Sequence, residues 1–391
     1  MTVQIITLKY QDVFKKYALK YKIFRELYQS DLYGLEIRDI NSNNLESIKS
    51  ITLSNKEICY KYQNHDSFDL LIISSLSKMV ELINDIKSNG PENIGQKIQT
   101  VFDNYVNYEK NSITIGSRKF DLNKHYILGI LNTTPDSFSD GGKYNKIDSA
   151  VSYSFDMINS GADIIDVGGE STRPNSDIVD AEEEIKRVNP VIKKIKELKK
   201  DQLISIDTTK SVVAESAILN GAEIINDISG FTFDENMFQI AKDYNVWSIL
   251  MHIKGNPKTM QNNPYYEEVI SEIMDFLSRQ IDKALKFGIN KIIVDPGIGF
   301  GKRIIDNYEI IKRLEEFKSL GFPILIGLSR KSFLGKSLNL DVDERENATS
   351  VSETIAMLNG ATFIRTHNVS KTKEASKIVN YLNNLSSIGN V

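Results

Sequence analysis

The chain has 391 residues, 41% apolar and 26% charged, a balance that suits folded globular domains and excludes a disordered tail or a membrane bundle. Lys and Arg total 48 against 52 Asp and Glu, a net charge of -4 that offers no positive field to a polyanion, so nucleic acid is not an expected partner. Cys59 is the only cysteine, which rules out an intrachain disulfide or a thiolate cluster; with no signal-peptide pattern and no apolar run of bilayer length, the cytoplasm is the expected compartment.

Glycine and proline divide the chain. Residues 1–112 contain only Gly34, Gly90, Gly95 and Pro91, whereas the remainder holds 19 of the 22 glycines. Both residues mark tight connections, so a boundary near residue 112 separates a small α/β domain from a segment of many sharply joined units. In the first part a helical start (10–28), strand-like 57–63 and 68–75, and helices near 76–88 and 91–108 carry no chemical motif. SITIGSRKFDL (112–122) reads as a hairpin with a Gly-Ser turn.

Eight apolar runs then recur: YILGILN (126–132), ADIIDVGG (162–169), LISIDT (203–208), EIINDI (223–228), VWSILMH (246–252), KIIVDP (291–296), PILIGLS (323–329) and ATFIRTH (361–367). Runs rich in Ile, Val and Leu without polar alternation mark strands buried on both faces. Helical periods fill the gaps, as in 181–200, 266–288 and 307–321. The rhythm predicts an α/β protein, a (β/α)8 barrel preceded by the small α/β domain, with the hairpin plugging the barrel's N-terminal mouth. A doubly wound sheet is the alternative, but no GxGxxG turn follows the first run.

Active sites of such barrels lie at the C-terminal strand ends, so the residues closing each run are the candidates. They are Asn132, Asp166 leading into GGESTRP, Asp207, Asn226 with Asp227, Asp295, Ser329 with Arg330 and Lys331, and Arg365 with His367. Any one of them could cap a helix, but carboxylates and amides beside Lys, Arg and His on one rim point to a ligand. Asp207, Asn226 and Asp295 suit a flat heterocycle with amino and ring N–H groups. Arg365 and His367 suit an anion such as phosphate, and Asn132 could hold magnesium through its side-chain oxygen. The polar, Gly-rich stretches 132–144 and 168–177 have the character of loops that close over a site.

LNTTPDSFSDGG, GGESTRP, SIDTTK, INDISG, LMHIKGNPKTMQ, DPGIGFGK, GLSRKSFLG and RTHNV resemble, in order, the signature blocks of dihydropteroate synthase, over about residues 113–388. The resemblance implies a transferase of folate biosynthesis, a homodimeric barrel that uses Mg2+ and is a sulfonamide target. Its reaction joins 6-hydroxymethyl-7,8-dihydropterin diphosphate to 4-aminobenzoate, giving 7,8-dihydropteroate and diphosphate. Carried over by motif, Asp207, Asn226, Ile228, Met251, Asp295 and Lys331 bind pterin, while Asn132, Arg365 and His367 bind diphosphate, with Asn132 also on the metal. Thr172, Arg173, Pro174, Phe300 and Ser332 bind aminobenzoate, and Phe138 and Asp140 lie on the mobile first loop. Thr366, Asn368 and Ile298 depart from the family's usual residues. Residues 1–112 are similar to an extension that precedes the barrel in some members. The rival reading is a pterin- or folate-dependent methyltransferase barrel, which has no diphosphate to hold.

Overall fold

The computed structural model describes residues 1–23, 28–55, 58–64, 67–134, 143–171 and 179–385. It divides the chain into two units, one of Met1–Tyr108 with Glu316–Gly321 and one of Glu109–Glu315 with Phe322–Val391.

The first unit contains β1 (Thr2–Thr7), α1 (Gln11–Tyr21), β2 (Tyr33–Ile40), α2 (Ser42–Ser54), β3 (Ile58–Asn64), β4 (Ser67–Ser74), α3 (Leu76–Asn89) and α4 (Glu92–Asn107). Its antiparallel sheet has the order β1-β2-β4-β3. Val3, Ile5, Leu35, Ile37, Leu70 and Ile72 pack with Met79, Ile83, Ile98 and Phe102 of α3 and α4. Ile6, Leu8 and Leu71 instead meet Phe14, Tyr17 and Tyr21 of α1. With apolar residues on both faces, the sheet is sandwiched between helices. The Glu36 carboxylate is wholly buried, and it accepts from Gln4 Nε2 at 2.9 Å, Lys20 Nζ at 2.9 Å and Tyr21 OH at 2.7 Å. Glu316 belongs here too, its Oε1 accepting the Thr7 N–H at 2.9 Å.

Two expectations for this part need correction. The first helix stops at Tyr21 rather than continuing to 28, because Lys22 turns into the left-handed region at φ 56° and ends the ladder. β1, β2 and α2 have no counterpart in the sequence reading, since buried Gln4 and Glu36 interrupt the apolar pattern that would have announced the two strands.

The second unit opens with the hairpin β5 (Ser112–Ile115) and β6 (Arg118–Asp121), turning at Gly116 with φ 57°. Eight strands follow: β7 (Tyr126–Asn132), β8 (Ile164–Gly168), β9 (Leu203–Asp207), β10 (Ile224–Asp227), β11 (Trp247–Met251), β12 (Ile292–Asp295), β13 (Leu325–Gly327) and β14 (Phe363–Thr366). All eight pair in parallel, in the order β12-β11-β10-β9-β8-β7-β14-β13. A parallel bridge between Val294 and Ile324 joins the two outer strands and closes the barrel. Between strands run α5 (Lys143–Asn159), α6 (Ala181–Leu198), α7 (Ser211–Leu219), α8 (Asn236–Asp243), α9 (Val269–Phe287), α10 (Ile304–Lys312), α11 (Ser332–Leu338) and α12 (Glu346–Leu358), with α13 (Val369–Asn383) last. This is the expected (β/α)8 barrel.

Leu128, Ile164, Leu203, Ile224, Trp247, Ile293, Leu325 and Phe363 form one buried layer with Ile115 and Phe120 of the hairpin. Trp247 Nε1 donates to the Thr114 carbonyl at 3.0 Å, so the hairpin covers the N-terminal mouth as its sequence suggests. The stretch 307–321 is not one helix: α10 ends at Lys312 and a 3-10 turn, Leu314–Leu320, follows. Between them Arg313 is fully buried, bound to Glu268 at 2.5 Å and Glu309 at 2.7 Å, a tertiary demand that sequence periodicity does not report. Among the described residues no helix is long and apolar enough to cross a membrane.

Candidate active site

Side chains alternate along a strand, so the buried layer fixes which later positions also face the barrel interior. Two residues beyond it come Asp166, Asn226, Asp295 and Arg365; four beyond come Asn132, Gly168, Asp207 and Met251. The polar residues of the site thus stand on the pleat directly above an apolar floor.

Arg365 links them. Its Nε donates to Asp166 Oδ2 at 2.6 Å and its Nη2 to Asp207 Oδ2 at 2.6 Å. Asn226 Nδ2 donates to the same Asp166 oxygen at 3.1 Å. The rim therefore does not separate into an acceptor half and a cationic half, as the sequence reading had it, because a long guanidinium crosses the mouth to the carboxylates opposite. Burial pushes Asp207 up to about 7, opposed by Arg365 and reinforced by Asp166. For Arg365 burial acts downward, but Asp166 and Asp207 overcome it and hold the guanidinium above its ordinary value. Asp227 points the other way, taking the Ser229 N–H at 2.7 Å, and so shapes its loop rather than the site.

The segment after β12 makes the next wall. Asp295 Oδ1 accepts the Gly297 N–H at 2.7 Å, and Gly297 sits at φ 71° where a Cβ would lie 1.9 Å from the His252 carbonyl oxygen. No other residue fits that approach. Lys331 Nζ donates to the Ile298 carbonyl and lies 4.4 Å from the Phe300 ring centroid. Burial lowers Lys331 to about 8, against the attraction of Asp295. Behind this turn Lys302 Nζ meets His252 Nδ1 at 2.9 Å, and burial holds both groups well below their ordinary values. Ile228, Met251, Ile253 and Met260 cluster with Phe300 as an apolar wall. A cavity of about 380 Å³ opens beside Asp207 and Ile228, bounded also by Thr208, Lys210, Phe233 and Pro257.

His367, four residues beyond Phe363, stands at the edge of this row. Its Nδ1 lies 3.0 Å from Ser329 Oγ, and it borders a separate cavity of about 230 Å³ with Tyr153, Asp156, Arg330 and Asn368. Ser332 is exposed at the first turn of α11. Thr172, Arg173, Pro174, Phe138 and Asp140 lie outside the described residues. The departures from the family pattern are packing positions: Thr366 Oγ1 pairs with Thr372 Oγ1 at 3.1 Å, Asn368 Nδ2 with Glu346 at 2.9 Å, and Ile298 is fully buried.

The Lys302–His252 pair escaped the sequence reading, and Asp166, though among its strand-end candidates, drew no ligand role there. The inward direction of Asp166 shows only once Ile164, two residues before it, is seen in the floor layer. Among the described residues no three His, Cys, Asp or Glu side chains gather as a metal site. Asn132 is half-buried, and the space between its Oδ1 and Asp207 Oδ2 is kept open by Gly168, whose added Cβ would come within 3.8 Å and 3.6 Å of them. Magnesium binds through one or two protein oxygens plus substrate phosphates and water, so a single carboxamide oxygen beside an open cradle fits it.

Residues 128–367 match the family of pterin binding enzymes. A dihydropteroate synthase of Clostridium beijerinckii is 48% identical over 272 residues, which cover 68% of this chain and 98% of that protein. The crystal structure of the Yersinia pestis dihydropteroate synthase with a sulfonamide drug complex superposes with a TM-score of 0.66 at 38% identity, covering 70% of this chain and 99% of that one. The Xanthomonas albilineans enzyme in complex with 7,8-dihydropteroate gives a TM-score of 0.63 at 32% identity, covering 70% and 99%. These matches span nearly the whole of each relative and coincide with the barrel that carries the site, so this chain belongs to the dihydropteroate synthase family of pterin binding transferases.

Proposed function

We propose that the protein condenses 6-hydroxymethyl-7,8-dihydropterin diphosphate with 4-aminobenzoate, releasing diphosphate, at the inward-facing row above the barrel floor. The observation that carries this reading is one cation, Arg365, set among buried acceptors Asp166, Asp207 and Asn226 within a single barrel mouth. Such a mouth takes a heterocycle rich in N–H donors and an anion together, which a methyltransferase barrel does not need.

In this reading Asp207, Asn226 and Asp295 accept from the pterin edge, Lys331 donates to it, and Ile228 and Met251 flank the ring. Arg365 and His367 bind the diphosphate. Asn132 would hold Mg2+ through Oδ1 together with diphosphate oxygens, and the ion supplies neutralisation of the leaving group's charge. The bond from the exocyclic methylene to the diphosphate oxygen breaks, the aminobenzoate nitrogen bonds to that carbon, and the nitrogen gives up a proton. No protein nucleophile is needed, so positioning and fixed charge carry the catalysis. Thr172, Arg173, Pro174, Phe300 and Ser332 are assigned to 4-aminobenzoate and to sulfonamides that compete with it, with Phe138 and Asp140 on the loop that covers the site. The protein works in this reading as a homodimer, supported by exposed apolar rows on α12 and α13.

Diphosphate release from purified protein, with and without 4-aminobenzoate, tests the assignment. Aminobenzoate-dependent dihydropteroate, lost by at least about tenfold in folded Arg365→Ala, is the expected outcome. Near wild-type turnover in that variant would sink it.

A further inference from the structure

We propose that Asp166 is a positioning residue that keeps Arg365 paired while Asp207 is released to the substrate. This inference rests on the pterin reading above. The side edge of the guanidinium is divided between two carboxylates, Nε on Asp166 and Nη2 on Asp207, at 2.6 Å each. The two carboxylates are not equivalent. Asp166 is fully buried, whereas Asp207 keeps 8% of its surface exposed and borders the 380 Å³ cavity. Only Asp207 can be reached by a ligand.

A heterocycle edge with two N–H donors that engages both oxygens of Asp207 competes with Arg365 for Oδ2. Were Asp207 the only counter-ion, that exchange would strand a buried guanidinium without an acceptor, the costly way to break an interior ion pair. With Asp166 on Nε, the displaced Nη2 remains on a neutralised cation and is free to turn to the diphosphate. Asp166 also accepts from Asn226 Nδ2 at 3.1 Å. A carboxylate has only acceptors to offer there, so the Asn226 amide must turn its NH2 group inward and present Oδ1 to the ligand. The remaining Asp166 oxygen, Oδ1, is buried without a hydrogen-bond partner. Asp166 thus acts on the substrate only through Arg365 and Asn226.

Asp166→Asn is close to isosteric and keeps one oxygen for Nε of Arg365 and Nδ2 of Asn226 while removing the charge. Calorimetric titration of the full chain with 6-hydroxymethyl-7,8-dihydropterin should show the dissociation constant raised about tenfold or more. The KM for 4-aminobenzoate should stay within about twofold, a split that general damage to the barrel would not give. In an Arg365→Met background the same substitution should change pterin affinity by less than about twofold, because no guanidinium then competes for Asp207. Unchanged affinity in the single variant, or a full loss persisting in the Arg365→Met background, overturns the proposal. If the variant does not fold, a crystal structure of the wild-type chain with the pterin decides. Retention of Nε on Asp166 with Nη2 withdrawn from Asp207 supports the proposal, and retention on Asp207 instead overturns it. Wild-type protein that makes no dihydropteroate would sink the functional reading itself, whereas active wild type with an unaffected Asp166→Asn variant sinks the positioning role alone.

Discussion

Asp207 is an acceptor whose usefulness depends on its charge. Burial disfavours the carboxylate and pushes its pKa up to about 7, Arg365 partly restoring the charged form while Asp166 opposes it. Pterin N–H groups require the ionised form, so the affinity for 6-hydroxymethyl-7,8-dihydropterin should rise as pH climbs through about 7 and fall roughly tenfold per unit below it. The sign follows from the protonated acid turning a donor toward a ring donor. Calorimetry from pH 5.5 to 8.5 checks it, and the dependence should disappear in Asp207→Asn; a flat wild-type profile would contradict the assignment of Asp207 to the pterin edge. Asp207, Asn226, Asp295 and Arg365 were legible as candidates because each closes an apolar run. Asp166 stood among those candidates without a ligand role, because a run buried on both faces has no alternation to say which residue points inward, and the register emerges only once Ile164 is seen in the floor layer.

At the scale of elements, the hairpin β5–β6 was readable from its Gly-Ser turn, and its role follows from packing. Phe120 is wholly buried, with ring centroids 4.7 Å from Tyr126 and 5.6 Å from Phe363, the first residues of two barrel strands. Phe120→Ala should destabilise the second unit by about 3 to 5 kcal/mol, as expected for emptying a large aromatic site in a core, measured by denaturant unfolding. Pterin affinity should persist below the variant's melting temperature, since the floor layer lies between this site and the polar row. A loss under about 1 kcal/mol would mean that the hairpin merely rests against the barrel. The break in 307–321 shows where such legibility stops. NYEIIKRLEEFKSLG has an unbroken helical period, and it is the pairing of buried Arg313 with Glu268, 45 positions earlier, that accompanies the turn. β1 and β2 escaped for a related reason, because Gln4 and Glu36 satisfy each other across strands in a way no local window contains.

On the scale of the whole molecule, every residue assigned to chemistry falls in the second unit, and two neighbouring helices of that unit carry exposed apolar rows. On α12, Val351, Ile355 and Leu358 are 59%, 45% and 52% exposed, while Ser352, Glu353, Ala356 and Met357 are buried. On α13, Ile378, Tyr381 and Leu382 are 57%, 41% and 58% exposed. Spacings of three, four and seven residues place each set on one stripe of its helix, turned away from the buried side, and the two helices pack side by side. Paired apolar stripes of this kind suit a self-complementary two-fold contact, in which the same patch serves both copies. Burying such a side chain fully contributes about 1.5 to 3 kcal/mol, so a few of them decide association at micromolar concentration. The wild-type chain should therefore elute in light-scattering chromatography at twice its 44.3 kDa mass. Ile355→Glu combined with Ile378→Glu should give single chains, with unchanged circular dichroism because both positions are exposed. A wild-type protein that runs as a single chain would remove the dimer from the reading, and a double variant that stays dimeric would move the contact to another face.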